Sequence, residues 1–258
     1  MKDAVVVPCG MVTQWTVDSE GNRVPKYRPT HDQSFDYSEG NSINHRLLKD
    51  NLPELFYGFC LLRILHYVHV LRLAKPSKSI IISKIDVKSA YRRGTMSGDL
   101  AARSITIVCG FALLIRCLPF GGPHCPNLWC VASKAMTDLG NDLLSCPDWD
   151  ESAIFSPHVS KLKPPKFLPN NIPFGKALPP DVCVPPVPFG RIDDFIDDLV
   201  TVGYASEGWR RLCGAALLSL HALSRPVSND EPIPRDDVLA LNKLLSEGSA
   251  AEVQTVLG

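Results

Sequence analysis

The chain has no surplus of either charge: Lys plus Arg and Asp plus Glu each number 27, so the net charge is zero. A uniformly basic surface of the kind that binds nucleic acid is therefore excluded, and any electrostatic attraction has to come from local clusters such as Lys84, Lys88, Arg92 and Arg93. No apolar run is long enough to span a membrane, because Arg63, Arg72 and Arg116 interrupt the longest ones. No secretory leader is recognisable, and the nine cysteines contain no Cys-x-x-Cys spacing. Reduced thiols in a cytoplasmic or nuclear setting are expected, with neither a disulfide framework nor a zinc site. Internal repeats are also missing.

What is present is enough chain, 258 residues, to bury a core in one or two domains. Residues 1–50 read as polar and turn-rich, with short strands at Val5–Val7 and Val12–Val17. A helix is expected over 53–74, where Pro53 suits a first turn. On it Leu55, Phe59, Leu62, Leu65, His69 and Leu73 recur on one face, and Pro76 ends it. His66 and His69 share a helical face without a third ligand, which makes them core or boundary histidines. A buried strand at 80–87, strands near 104–108 and 111–117, and a helix from about 126 to 145 follow. Residues 147–190 hold 11 of the 22 prolines, including Pro164-Pro165, Pro179-Pro180 and Pro185-Pro186. That density excludes helix or central strand and implies an extended surface insertion. Beyond it come a hairpin near 191–203, helices around 207–224 and 236–247, and a strand-like Ala251–Gly258.

The chemistry lies in a split acidic set. Asp86 ends the apolar run Ile80-Ile81-Ile82-Ser83-Lys84-Ile85, and Asp197-Asp198 sit 111 residues later in Phe195-Ile196-Asp197-Asp198-Leu199-Val200. Carboxylates at the ends of hydrophobic strands are costly to desolvate unless a cation neutralises them. If the two strands lie side by side, like charges meet. Mg²⁺ suits such a place because it takes oxygen ligands and few of them from protein. Two ions about 4 Å apart support phosphoryl transfer. Asp86 and Asp197 are the expected ligands, with Asp198 in support. Asp193-Asp194 form a rival pair, but the apolar strand follows Asp198 directly and Phe195 supplies an aromatic in front of the pair.

The order of motifs around these acids resembles the reverse transcriptase family of retroelements. The first is Asp86-Val87-Lys88-Ser89-Ala90-Tyr91, an Asp with an aromatic five residues on. The second is Leu118-Pro119-Phe120-Gly121-Gly122-Pro123-His124-Cys125-Pro126, a Pro-aromatic-Gly turn leading into a helix. The third is Phe195-Ile196-Asp197-Asp198. Upstream, Tyr27-Arg28-Pro29-Thr30-His31-Asp32 and Asn41-Ser42-Ile43-Asn44 resemble elements of the fingers.

The resemblance implies an α+β fold: a polymerase-type palm whose antiparallel sheet is backed by helices, with partial fingers, a Pro-rich insertion and no thumb. The expected division is 1–79 fingers-like, 80–146 first part of the palm, 147–190 insertion and 191–258 second part of the palm. The implied activity is RNA-directed DNA polymerase, adding dNTPs to a primer 3′ end on an RNA or DNA template with two Mg²⁺, or Mn²⁺, and no membrane partner. The backbone carbonyl of Val87 would add a metal ligand. Tyr91 would exclude a 2′-hydroxyl, and Phe120 and Gly121 would floor the nascent base pair. Arg28, assisted by Lys26, would grip the triphosphate through its planar fork. Pro29 is expected to interrupt strand pairing there, and Asp32 to orient its own loop. Two rivals remain: an inactive or domesticated domain that binds nucleic acid or a partner, and a Mg²⁺-dependent phosphodiesterase using the same acids.

Overall fold

The computed structural model describes residues 4–18, 20–55, 57–78, 80–87, 90–146, 148, 190–204 and 208–223. The expected insertion over 147–190, the helix at 236–247 and the strand at Ala251–Gly258 lie outside the described residues, apart from residues 148 and 190, of which Gly190 begins a strand rather than ending the insertion. The fold is mixed α+β, with mostly antiparallel strands and helices. It divides into two compact units, described separately here: Met1–Leu55 with Ser89–Val131, and Phe56–Lys88 with Ala132–Gly258.

In the first unit, β1 (Val5–Val6) runs parallel to β5 (Ser104–Val108), which pairs antiparallel with β6 (Phe111–Leu114). Cys109 and Gly110, with φ of 50° and 80°, make the two-residue turn between β5 and β6. Both central positions lie in the left-handed region that matches strand twist. A separate ribbon joins β2 (Cys9–Val17) to β3 (Arg23–His31) in continuous register from Cys9↔His31 to Val17↔Arg23. This ribbon corrects the turn-rich reading of residues 23–31. It also corrects the expectation that Pro29 breaks pairing, since Pro29 sits opposite Met11 and Pro25 opposite Trp15. Prolines four residues apart turn the same edge of a strand, and a two-stranded ribbon leaves one edge of each strand unpaired, so no ladder bond is lost.

Short helices α1 (Ile43–Arg46), α3 (Ala90–Arg93) and α4 (Gly98–Ala101) complete this unit, with the start of the long helix α5 (His124–Ser145). Ser42 and Ser97 cap α1 and α4 by accepting from His45 N and Leu100 N. Trp129 is buried in α5.

The second unit is built on a three-stranded antiparallel sheet in the order β4 (Ile80–Asp86), β8 (Asp198–Tyr204), β7 (Gly190–Phe195). Helix α2 (Cys60–Ala74) covers one face: Cys60, Ile64 and Leu71 pack on Val200, Val202 and Tyr204. Tyr204 Oη donates to Leu71 O at 2.7 Å, which satisfies its only polar atom in the core. The opposite face meets α5 and α6 (Trp209–Leu223), whose Leu212, Ala215, Ala216, Leu217 and Leu220 are fully buried. The three come together at Gly140 of α5, where a Cβ would stand 2.7 Å from Ile192 Cδ1 and 3.3 Å from Ser219 Oγ. Next to it, Asn141 works as a surrogate strand on β7: its Nδ2 donates to Ile192 O at 2.9 Å and its Oδ1 accepts from Ile192 N at 3.0 Å. An otherwise open sheet edge is thereby paired.

Helix α2 differs from expectation in two respects. It starts at Cys60 after a short 3-10 turn at Tyr57–Phe59, so Pro53 lies outside it. Its buried residues are Cys60, Ile64, Val70 and Leu71, whereas Phe59, Leu62 and Leu65 are exposed. His66 and His69 are exposed as well, contrary to a core or boundary placement. The helix is apolar nearly all round, so periodicity could not choose its inner face; the sheet residues opposite it do.

Candidate functional site

The sheet of the second unit brings Asp86 and Asp198 together. The β4–β8 register runs from Ile80↔Tyr204 to Asp86↔Asp198, so the two acids are directly opposed. Opposed residues of an antiparallel pair share a face, with Cβ atoms about 5 Å apart. Asp197 lies beside them in the two-residue turn Ile196-Asp197 that links β7 to β8, closed by the pair Phe195↔Asp198. Its carbonyl accepts from Val87 N at 3.0 Å, which ties the end of β4 to the turn. Ile196 carries φ of 58°, in the left-handed region. A β-branched residue there costs on the order of 1–3 kcal/mol, and it persists only where the surroundings over-determine the backbone. Here two strands and the Val87 bond do so, holding Asp197 at the apex.

Lys84 is the residue that the sequence reading did not assign. Period two along β4 sets Lys84 on the same face as Asp86, and its Nζ donates to Asp198 Oδ2 at 2.8 Å. The other oxygen, Asp198 Oδ1, is buried without a hydrogen-bond partner. Burial pushes the Asp198 carboxyl up to about 6 and the charges of Asp197 and Asp86 push the same way, while the Lys84 ammonium opposes them. A carboxyl perturbed by burial and by specific charges is a candidate functional group, and structural ion pairs shift carboxyls in the same way.

The rival pair Asp193-Asp194 is engaged structurally. Neighbours on a strand turn to opposite faces, and each acid meets a partner there. Asp193 accepts two bonds from Arg63 of α2, at 2.6 Å from Nε and 2.5 Å from Nη2. Asp194 accepts from Ser133 Oγ of α5 at 2.7 Å. Its carboxyl is raised by burial, with Ser133 opposing.

In the first unit, Tyr91 and Phe120 come together with ring centroids 5.2 Å apart, and Trp129 meets Tyr91 edge-on at 6.4 Å. Met96, Leu118 and Cys125 support Tyr91 from below. Gly121 has φ of 97°, and a Cβ there would stand 2.4 Å from His31 O at the end of β3. Only glycine fits. Asn44 Nδ2 donates to the Gly121 carbonyl at 3.3 Å, so the Asn41–Asn44 segment braces this turn. Arg28 and Lys26 are exposed and share one face of the ribbon. At about 3.3 Å per residue, Arg28 stands about 10 Å from His31 and Lys26 about 17 Å. Asp32 does orient its own loop, accepting from Ser34 N at 3.1 Å.

The β2–β3 ribbon carries a local positive charge against the neutral total. Its two strands contain Arg23, Lys26 and Arg28 and no acidic residue. Met11, Trp15 and Tyr27 are exposed on it, with the Arg23 guanidinium 4.8 Å from the Trp15 ring centroid.

The nine residues singled out in the sequence thus fall into two groups: Asp86, Val87, Asp197 and Asp198 in one unit, and Lys26, Arg28, Tyr91, Phe120 and Gly121 in the other. No protein-family model matches this chain, and no curated protein matches its sequence. Among the described residues no helix is long and apolar enough to cross a membrane.

The acidic end can be tested as a Mg²⁺ site. Among the described residues no group of three or more His, Cys, Asp or Glu side chains is arranged to hold a metal. Mg²⁺ asks for less than that, being bound through one or two carboxylates with water and substrate phosphate completing the shell. Asp86 and Asp198 are opposed at one strand end and Asp198 Oδ1 lacks a hydrogen-bond partner, which is the donor chemistry such a site would use.

Proposed function

We propose that this chain is a reverse-transcriptase-like nucleotidyltransferase, a palm with partial fingers that adds dNTPs to a primer 3′ end on an RNA or DNA template. The observation that carries the reading is the register Asp86↔Asp198 with Asp197 in the adjoining turn. Acids 111 residues apart in the chain meet at one sheet end, as metal-dependent phosphoryl transfer requires.

In this mechanism Asp86 and Asp197 would hold the cations, with the Val87 carbonyl as a further oxygen. When bound, two Mg²⁺ or Mn²⁺ ions supply positive charge at the primer 3′-oxygen and at the departing pyrophosphate. Asp198 stays on Lys84 and keeps the two strand ends in register. The Arg28 fork, with Lys26 beside it, neutralises the triphosphate. Tyr91, wedged against Phe120 and Trp129, presents a ring that cannot yield to a 2′-hydroxyl. Gly121 keeps the floor flat because no side chain projects from it. Stacking of bases on Trp15 and Tyr27, with Arg23 on phosphate, gives template affinity that falls with salt.

Extension of a labelled primer on an RNA template, with dNTPs and Mg²⁺, tests the proposal. Metal- and dNTP-dependent extension supports it, and cleavage without dNTPs assigns a phosphodiesterase. Binding of primer–template without extension assigns the domesticated, non-catalytic domain. That second reading is favoured by the Lys84–Asp198 ion pair, which already neutralises one acid. Two variants refine the assignment. Tyr91→Ala is expected to raise ribonucleotide incorporation by at least tenfold relative to dNTP, measured by competition; unchanged rejection removes Tyr91 from that role. Arg28→Ala is expected to raise KM for dNTP about tenfold, the effect of losing about 1.4 kcal/mol of binding, with primer–template affinity changed less than threefold. An equal loss in both would make Arg28 a template contact.

A further inference from the structure

We propose that the outer edge of β6 docks a second copy of this chain, the two β6 strands pairing antiparallel about a twofold axis at Ala112. This surface lies wholly in the first unit and needs no polymerase activity. Sheet order places β6 at an edge, with β5 on its one paired side among the described residues. Phe111, Ala112, Leu113 and Leu114 are all exposed, Phe111 to 73%. The sequence does nothing to protect this edge, since neither a charge nor a proline occurs from Ser104 to Ile115. Edges that stay single are blunted by such residues, and a bare apolar edge is a template for another strand.

Which backbone atoms are offered follows from the turn. Cys109-Gly110 closes β5 on β6 as a two-residue hairpin, so Val108↔Phe111 is a bonded pair and the ladder alternates from there. Phe111 and Leu113 turn their backbone groups to β5, and Ala112 and Leu114 turn theirs outward. Further along, the same edge is already closed: Met96 N donates to Arg116 O at 2.8 Å and Leu118 N to Gly94 O at 3.0 Å. That segment leaves at Ser97, the cap of α4. The opening therefore admits a strand no longer than β6 itself, and one that turns away directly. A second β6 meets both conditions. With Ala112 opposite Ala112, the two residues exchange both backbone bonds, and Phe111 lies beside Leu113 of the other copy in the closer, non-bonded pairs. The turn of each copy then comes just before the other's edge closes. Pairing centred on Leu113 would instead drive that turn against Thr95, which is bridged to Cys117. About the Ala112 axis the two Arg116 residues stand about 26 Å apart along the sheet, so like charges do not meet. An interface this short buries less than a standard stable one, so the dimer is expected to dissociate on dilution.

The full chain tests this by sedimentation velocity over a dilution series, with amide exchange read by NMR at each concentration. A dimer that dissociates on dilution is expected. In it the Ala112 and Leu114 amides should be about tenfold better protected than in the monomer, while Phe111 and Leu113 stay protected throughout. Ala112 protection that ignores concentration would show the chain covering its own edge, and overturns the proposal; a monomer at every concentration overturns it too. Ala112→Lys sets two ammonium groups directly opposite one another, and Ala112→Glu two carboxylates. Each is expected to weaken dimerisation at least about tenfold, and an equimolar mixture of the two to restore it. Ala112 is exposed, so neither change should disturb the fold. Variants that still dimerise alone, or a mixture that stays monomeric, overturn the pairing. Should either variant fail to fold, exchange of the native Ala112 amide decides.

Discussion

Asp197→Ala is expected to abolish Mg²⁺-dependent primer extension, by at least about 10³-fold, the equivalent of about 4 kcal/mol of transition-state stabilisation. Its melting temperature should stay level or rise. On the proposed reading the variant loses one of the carboxylates that would hold the cations. Retention of the fold follows from which atoms of Asp197 do structural work. Its backbone carbonyl accepts from Val87 N, and an alanine carbonyl does the same. Removing the side chain also removes a charge that pushes the Asp198 carboxyl upward, second to burial. Extension that survives in the variant at native rate would remove Asp197 from the chemistry. A variant that cannot fold would show the turn to depend on the carboxylate itself.

The largest effect on stability is expected at Arg63. Arg63→Ala leaves Asp193, 6% exposed, without its two guanidinium bonds. Breaking a buried pair from one side costs more than the pair contributes, because the remaining charge stays desolvated. Arg63 is itself 35% exposed, so water partly screens the loss. About 2–3 kcal/mol by urea unfolding is the expected cost. The double variant Arg63→Met, Asp193→Leu should recover most of it, since both charges are then gone from the α2–β7 contact. If the double variant is as unstable as the sum of the single ones, the pair is not coupled and the contribution lies elsewhere. Together the two experiments separate the acid pairs: Asp193 is expected to act on stability, and Asp197 on activity.

Several elements were legible from pattern alone. The run 80–87, the hairpin near 191–203 and the helices near 126–145 and 207–224 correspond closely to β4, β7–β8, α5 and α6. In each, hydrophobic period and turn residues agree, so local and global preferences point the same way. The β2–β3 ribbon was not legible over 23–31, because Pro25 and Pro29 argue against a strand until it is known that both face an open edge. The inner face of α2 was not legible either. Its apolar residues surround the helix, and only Val200, Val202 and Tyr204 across from it decide which ones are buried.

By itself the sequence determined which residue types were available and in what order: two acidic groups ending apolar strands, a Pro-Phe-Gly turn, an aromatic five residues past Asp86, and cations clustered against a neutral total. Those are properties of neighbours in the chain, and local spacing records them. Only the tertiary structure decided which acids meet and which are occupied. The β4–β8 register set Asp86 against Asp198, α2 delivered Arg63 to Asp193 across 130 positions, and Lys84 reached Asp198 across 114. Strand register and helix docking are settled by the burial of whole faces, a sum over residues far apart in the chain, and no single stretch of sequence contains that sum.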